Sequence, residues 1–396
     1  MARKKNTTRK DGLIAVQIYL GIDENGKRKY KTVYGKTQPE VDAKAQDIKA
    51  AMRKGLDVAA ERDIFGEWAK RWLKIKTSEV SHSQAGGYRA RIDYINSFLG
   101  DMQITKIKQI DLQEIINSLA HNNPNTGKPA SKRLLEITKS TMHQIFELAR
   151  ENRVLDYNPT DAVKLLKNAP TEKRRALTDE EQQWILSTEH RAKRAAMIMM
   201  YAGLRRGELV PLTWNDIDLK AKTISVSKSA ERTSNTFTVK AGAKTDAGVR
   251  TVDIPAILAD YLMAEKREGI FVCEKISGGM HTESSWVRMW ESYLLELNLA
   301  HGDFSPFQNK PKSKYDPGGV PFVIDKITPH MLRHTFATLL YFAGVDILSA
   351  MQQLGHADIK VTLGIYTHLD KIYKRRSMSK LDDFIIERRE GRSQTS

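Results

Sequence analysis

Four short stretches in the C-terminal half carry side chains suited to chemistry at a phosphodiester. They are Ala202-Gly203-Leu204-Arg205-Arg206-Gly207-Glu208-Leu209; Lys244-Thr245 ahead of a strand candidate at 250–254; His330-Met331-Leu332-Arg333-His334-Thr335; and Leu354-Gly355-His356, followed by Tyr366 in Gly364-Ile365-Tyr366-Thr367-His368. Attack at phosphorus builds charge on the two non-bridging oxygens. A guanidinium answers that charge well because it offers paired donors in a fixed fork, and Arg205 and Arg333 supply two. The departing alkoxide needs a proton, which a lysine on a hairpin delivers if neighbouring cations lower its pKa. Lys244 fits, with Lys228 and Lys240 close to the same hairpin. A tyrosine oxygen is a competent nucleophile once deprotonated, and it forms a covalent phosphotyrosine. His330 lies one helical turn from Arg333 on the same face, placed to hold or accept a proton, and His356 is placed to hydrogen-bond the phosphate.

Taken singly, each residue has a plainer reading. Arg205 is either a surface ion-pair partner of Glu208 or a clamp that Glu208 buttresses. A lysine before a strand, or one tyrosine among 13, is more often structural. His330 and His334 alone read as core or cap histidines, and His368 is read as structural. A metal reading of His330 and His334 lacks a third ligand at a zincin spacing. The scheme needs no metal or other cofactor, because the arginines supply the cationic field. The covalent link conserves the phosphodiester energy, in keeping with a chain that has no G-x-x-x-x-G-K-[ST] motif. Joint occurrence, in order and within one basic chain, singles the set out.

Elements must position these residues, and the composition bounds what they are. The chain has 396 residues, 40% of them apolar, enough for two or three domains with real cores. No apolar run approaches the ~20 residues of a membrane span, and no apolar stretch follows the basic start to make a secretory signal. The single cysteine, Cys273, excludes an intramolecular disulfide and a thiolate metal site, and suits a reducing, cytoplasmic compartment. Sixty-four Lys+Arg against 48 Asp+Glu give a net charge of +16. Such a field attracts polyanions, nucleic acid first among them.

Residues 1–58 form a small basic module. Ile14, Val16, Ile18 and Leu20 alternate along a strand, Asp23-Glu24-Asn25-Gly26 turns the chain, and a second strand follows over 29–34. Val41, Ala45, Ile48 and Met52 then recur at helical spacing. Lys27, Arg28, Lys29 and Lys31 make the second strand cationic, which is either a solvated face or a β-sheet reader of a DNA groove. Residues 62–165 carry four amphipathic helices, marked by Phe65/Trp68/Trp72/Ile75, Tyr88/Ile92/Ile95/Leu99, Leu112/Ile115/Ile116/Leu119 and Leu135/Met142/Ile145/Phe146. Residues 166–176 read as a basic linker that holds Lys173, Arg174 and Arg175, a further candidate DNA contact. Residues 177–390 are mixed, with a capping box opening at Thr178 and strand candidates at 223–227, 236–240 and 250–254. Pro255 is expected at the first position of the next helix. A loop rich in Pro, Gly and Lys covers about 301–319, and 391–396 is a tail. The fold class is therefore multidomain and mainly α with small β-sheets.

The residue boxes resemble those of the tyrosine recombinases, or phage integrases, which share their chemistry with type IB topoisomerases. Gly203-Leu204-Arg205-Arg206-Gly207-Glu208-Leu209 is similar to the first arginine box. Thr328-Pro329-His330-Met331-Leu332-Arg333-His334-Thr335, Leu354-Gly355-His356 and Tyr366-Thr367-His368 are similar to the second. The resemblance is strong over 173–385 and architectural before that. It implies Tyr366 as the nucleophile, Arg205, Arg333, His330 and His356 as the phosphate ligands, and Lys244 as the general acid. It further implies a 3′-phosphotyrosine and a Holliday junction on the way to integrating and excising a mobile element. Two domains, 62–165 and 177–390, would close around a core site in double-stranded DNA of a prokaryotic host. Four protomers would act together, with host or element-encoded DNA-bending or excision factors as further partners. The module at 1–58 resembles the arm-binding domain of integrases from lambda-like phages and conjugative transposons. Residues 381–390 resemble a tail that docks on a neighbouring subunit, or else form a frayed helix. The competing readings are a DNA-binding regulator without chemistry, a metal-dependent nuclease using carboxylates, and a topoisomerase without sequence preference.

Overall fold

The computed structural model describes the chain except residues 1–11, 23–25, 171–174, 234–235, 242–248, 266, 268, 308–309, 312, 317 and 374–396. It divides into two compact units, Met1–Glu172 and Lys173–Ser396. Both are mainly helical with small sheets, as the periodicities predict. Among the described residues, no helix is long and apolar enough to cross a membrane.

The first unit opens with a hairpin of strands β1 (Ile14–Ile22) and β2 (Arg28–Gly35), antiparallel, with Ile18 opposite Lys31 and Tyr19 opposite Tyr30. Helix α1 (Gln38–Arg53) follows. Its first turn is set by the Thr37 hydroxyl, which accepts from the Glu40 amide, and by Pro39. Ile18, Ala45, Ile48 and Val58 form the small core between hairpin and helix. Strand alternation puts Arg28 on one face and Lys29 and Lys31 on the other. Arg28 and Lys29 are exposed, whereas Lys31 lies on the core side and donates Nζ to the Val58 carbonyl at 3.1 Å. Burial, then the charge of Arg62, lowers its pKa. A period of two separates Lys31 from Arg28, whereas Lys29 shares its face and stays exposed because it lies at the start of β2, away from the core residue Ile18 that faces Lys31.

Four helices follow as expected: α2 (Phe65–Glu79), α3 (His82–Leu99), α4 (Gln109–His121) and α5 (Lys132–Glu151). Their apolar stripes meet in one core around Phe65, Ile95, Leu112, Ile115, Leu135 and Phe146. The N-terminal module is pinned to this bundle. The Asp57 amide donates to the Arg153 carbonyl at 2.7 Å, and Lys54 pairs with Asp156 at 3.0 Å.

The second unit begins with α6 (Asp179–Ser187), capped by the expected box between Thr178 and Glu181. Arg175 grips the same Glu181 with both guanidinium nitrogens at 2.6 and 2.7 Å and reaches Asp325 at 3.1 Å. Its charge therefore anchors the start of this unit. Helix α7 (Lys193–Tyr201) is buried on nearly every side and packs against later helices. The short α8 (Arg206–Leu209) comes next, and then strands β3 (Ile217–Asp218), β4 (Thr223–Val226), β5 (Lys228–Thr233), β6 (Thr236–Ala241) and β7 (Arg250–Asp253). They form a three-stranded sheet in the order β3-β4-β7 and a separate β5-β6 hairpin. Strand β5, Lys-Ser-Ala-Glu-Arg-Thr, has no apolar alternation to announce it, and pairing with β6 defines it. Pro255 caps rather than opens α9 (Ala256–Ala264), a one-residue difference in the boundary.

The long α10 (Glu283–His301) supplies Trp286, Trp290 and Tyr293 to the core. The connection after it is tied down by fully buried Asn298, which donates to the Pro321 carbonyl and accepts from the Val323 amide, each at 2.9 Å. Three helices complete the described chain: α11 (Pro329–Phe342), α12 (Ile347–Leu354) and α13 (Ile359–Tyr373).

Candidate active site

Helix α11 presents Arg333 on its buried face, and the sequence folds so that two carbonyls meet it. Gly203 closes the turn between α7 and α8 at φ 65°, a conformation that favours glycine. A Cβ there would sit 2.3 Å from the Phe336 ring. This close turn aims the Gly203 carbonyl at Nη1 of Arg333, while the Leu354 carbonyl at the end of α12 accepts from Nη2.

Arg205 comes from the other side, at the N-cap of α8. Its backbone amide donates to Oε2 of Glu208 at 2.9 Å and its Nη1 to Oε1 at 2.7 Å. Its Nη2 donates to the Gly355 carbonyl at 2.9 Å. Gly355 ends α12 in the left-handed conformation, φ 60°, the usual helix stop. The Arg205 side chain stays 39% exposed, whereas Arg333 is 8% exposed and Glu208 7%. Glu208 is thus a buried partner of Arg205 rather than half of a surface pair.

One member of this cluster escapes the sequence reading. Arg250, at the start of β7, places Nη1 and Nη2 at 3.2 and 3.0 Å from the two Glu208 oxygens and Nε at 3.0 Å from the Gln353 carbonyl. Its signal was present: residues 250 and 252 share a strand face, and Val252 is fully buried. The Glu208 carboxyl is held below its ordinary range by these arginines, although burial acts to raise it. Burial above all, then Arg205, lowers the pKa of Arg333. A guanidinium stays charged even so, so the site concentrates positive charge around one buried carboxylate.

His356 follows Gly355 directly. Its Nδ1 lies 2.8 Å from the Thr362 hydroxyl on α13. Burial first, then the charges of Arg333, Arg205 and Arg250, pushes its pKa down to about 4, so the ring is neutral at pH 7. His330 stands exposed in the first turn of α11, one turn before Arg333. Lys228 is paired with Asp216 at 3.0 and 3.1 Å. Lys244, together with Lys173, Arg174 and the tail at 381–390, lies outside the described residues.

Tyr366 projects from α13 and is 9% exposed. Its hydroxyl donates to the Val345 carbonyl at 3.3 Å, and its ring meets Tyr341 edge-on at 5.1 Å between centroids. Burial, then Asp346, pushes the phenol up to about 12. The structure therefore gathers Arg205, Arg333 and His356 as the spacing predicts, adds Glu208 and Arg250, and holds Tyr366 by contacts of its own.

Comparison with known proteins agrees with this geometry. Residues 171–372 match the phage integrase family, and residues 64–120 match the phage integrase N-terminal SAM-like domain. A XerC-like tyrosine recombinase of Caldanaerobacter subterraneus is 30% identical, over 98% of this chain and all of that protein. The ICEBs1 integrase of Bacillus subtilis is 27% identical, over 76% of this chain and 79% of its own length. Among solved structures, the Tn1549 transposon integrase in complex with circular intermediate DNA superposes with a TM-score of 0.64. At 20% identity, the match covers 80% of this chain and 99% of that one. A lambda integrase dimer bound to a COC′ core site gives a TM-score of 0.54 at 16% identity, covering 92% and 96%.

Proposed function

As the chain belongs to the phage integrase family and is a tyrosine-type site-specific DNA recombinase of mobile elements, we propose that Tyr366 is its nucleophile and Arg205, Arg333, His356 and His330 its phosphate ligands. The two guanidiniums bind the non-bridging oxygens of the scissile phosphate. Neutral His356 adds a hydrogen bond: with Nδ1 accepting from Thr362, its Nε2–H is left to donate to the phosphate. His330, one turn before Arg333, completes the shell. The Tyr366 phenol gives its proton to His330 as its oxygen attacks phosphorus, the new P–O bond forms as the bond to the 5′ oxygen breaks, and Lys244 gives the departing oxygen its proton. The product is a 3′-phosphotyrosine and a free 5′-hydroxyl. Attack by a 5′-hydroxyl from the second duplex reverses the step, and a pair of such exchanges makes the Holliday junction.

The observation that carries this reading is the convergence of Arg205, Arg333 and His356 on one spot, from three elements far apart in sequence, with Glu208 beneath them. Electrostatic stabilisation of this kind is the largest single contribution in many enzymes. The test is a suicide duplex nicked beside the cleavage position, with mass spectrometry of the trapped adduct. Wild type is expected to yield one DNA-linked peptide modified at Tyr366, and Tyr366→Phe to bind DNA and yield none. An adduct at another residue refutes the assignment.

By the same reading, residues 62–165 and 177–390 contact the core site, 1–58 contacts arm sites, and four protomers assemble on two duplexes with bending or excision factors. Arg28 and Lys29, with Lys27 just before β2, are exposed and offer phosphate contacts; Lys173 and Arg174 are proposed alongside them. Lys31 and Arg175 are already bound to Val58, and to Glu181 and Asp325, respectively. Removing 1–58 is expected to spare core-site cleavage and impair recombination between distant sites. Because Asp57 and Lys54 pin the module to the helical bundle, that truncation is also expected to lower the melting temperature. Unimpaired distant recombination by the truncated chain removes the arm-site role.

A further inference from the structure

Arg250 belongs to none of the four sequence patches, yet its guanidinium is used on three sides. It donates twice to Glu208 and once to the Gln353 carbonyl, and it is 7% exposed. It also packs so close to Gly355 that a Cβ there would lie 2.6 Å from its Nη1. Gly355 is the residue whose carbonyl orients Arg205. We propose that Arg250 is a positioning residue for the transfer step: it saturates Glu208 and fixes the end of α12, so that Arg205 and Arg333 keep donors available for the scissile phosphate. The inference rests on the recombinase reading above.

The physical argument concerns what Glu208 does without it. The carboxylate is buried and accepts from Arg250 at both oxygens and from Arg205 through its amide and Nη1. Arg333 Nη1 stands off at 3.9 Å from Oε2. Removing Arg250 leaves a buried carboxylate short of partners, which is costly, and the neighbour best placed to relieve it is Arg333. Each movement of Arg333 toward Glu208 withdraws it from the phosphate.

A mere fold-stabilising role predicts a different outcome, and a change of substrate separates the two. In a methylphosphonate at the scissile position, one charged non-bridging oxygen is replaced, and a clamp that works by neutralising that charge matters less. With the full-length protein on nicked suicide duplexes, Arg250→Met is expected to slow single-turnover cleavage of the phosphodiester by about 100-fold, the size of losing one oxyanion donor. On the methylphosphonate duplex the same variant is expected within about fivefold of wild type, since its defect is confined to transition-state charge. Arg250→Lys keeps the charge, and with it the fold, but cannot span both Glu208 oxygens and Gln353. It is expected to lose about tenfold, again only on the phosphodiester. Equal losses on both substrates, or wild-type rates in both variants, overturn the inference while a wild-type adduct leaves the recombinase reading intact. No adduct from the wild type overturns both.

Discussion

Arg333 on α11 and Tyr366 on α13 belong to neighbouring helices of one unit and are held in opposite ways. The arginine has a carbonyl at each terminal nitrogen, one from the turn at Gly203 and one from the end of α12. Behind it stands Glu208, itself fixed by Arg205 and Arg250. The tyrosine has one hydrogen bond, at 3.3 Å to the Val345 carbonyl. That is long for an O–H donor, whose usual distance is about 2.7–2.8 Å. The difference teaches a division of labour. A charge clamp accelerates best when its dipoles are in place before the reaction. A nucleophile need only reach phosphorus when a duplex is bound, and releasing one weak hydrogen bond costs about 1 kcal/mol or less.

The comparison breaks most sharply at its two ends. Tyr366→Phe removes the proposed attacking oxygen, so the expected loss of adduct is complete while folding is unchanged. Arg333→Ala should reduce single-turnover cleavage by roughly 10²–10³-fold. It should also lower stability, because the Gly203 and Leu354 carbonyls lose their donor, at about 1–3 kcal/mol for each buried group left unpaired. Denaturant unfolding of both variants checks the contrast. A Tyr366→Phe chain less stable than Arg333→Ala contradicts the idea that the clamp, and not the nucleophile, is built into the core.

A smaller effect concerns pH. His356 has a pKa depressed to about 4 by burial and by the arginines, against about 6.5 in the unfolded chain. Between those values the unfolded state binds more protons than the folded one, so the stability contributed by this group is full above about 6.5 and is lost as pH falls toward 4. Buried His281, also lowered to about 4 by burial, adds to the same slope. The prediction is a melting temperature that falls through that window, with His356→Gln flattening part of the fall. In catalysis His356 should contribute no inflection near pH 6 to 7 in the cleavage rate. An inflection there that disappears in His356→Gln means that the arginines do not keep the ring neutral.

Much of this was legible in the chain. The helices of the first unit follow from the 3.6 period of Trp68/Trp72 or Ile92/Ile95/Leu99, because an amphipathic stripe has one favourable burial. His330 and Arg333, three apart, had to share a helix face. The contacts that complete the site were less legible because they join residues remote in sequence. Arg250 meets Glu208 across 42 positions and Gln353 across 103, and no local period announces such a pair. Strand β5 and the inward turn of Lys31 went unread for a related reason: polar side chains on strands were counted as charge rather than assigned to a face. A surface pair between Arg205 and Glu208 was one of two readings left open, and only the burial of Glu208 removes it.

The smallest expected effect tests a hydrogen bond that links the two regions. Thr362 is fully buried on α13, four residues before Tyr366, and its hydroxyl lies 2.8 Å from Nδ1 of His356. It therefore ties α13, which carries Tyr366, to His356, the proposed phosphate ligand beside Arg205 and Arg333. Thr362→Val preserves shape and removes that hydrogen bond. The histidine keeps its burial and its arginine neighbours but loses what orients the ring, so the expected loss in cleavage is about fivefold, the worth of roughly 1 kcal/mol. DNA affinity should be unchanged, since the arginines still bind phosphate. Combined with His356→Gln, the two losses should fail to add, because both act through one imidazole. Full additivity in that double-mutant cycle means that Thr362 serves α13 alone, and that clamp and nucleophile communicate by another route.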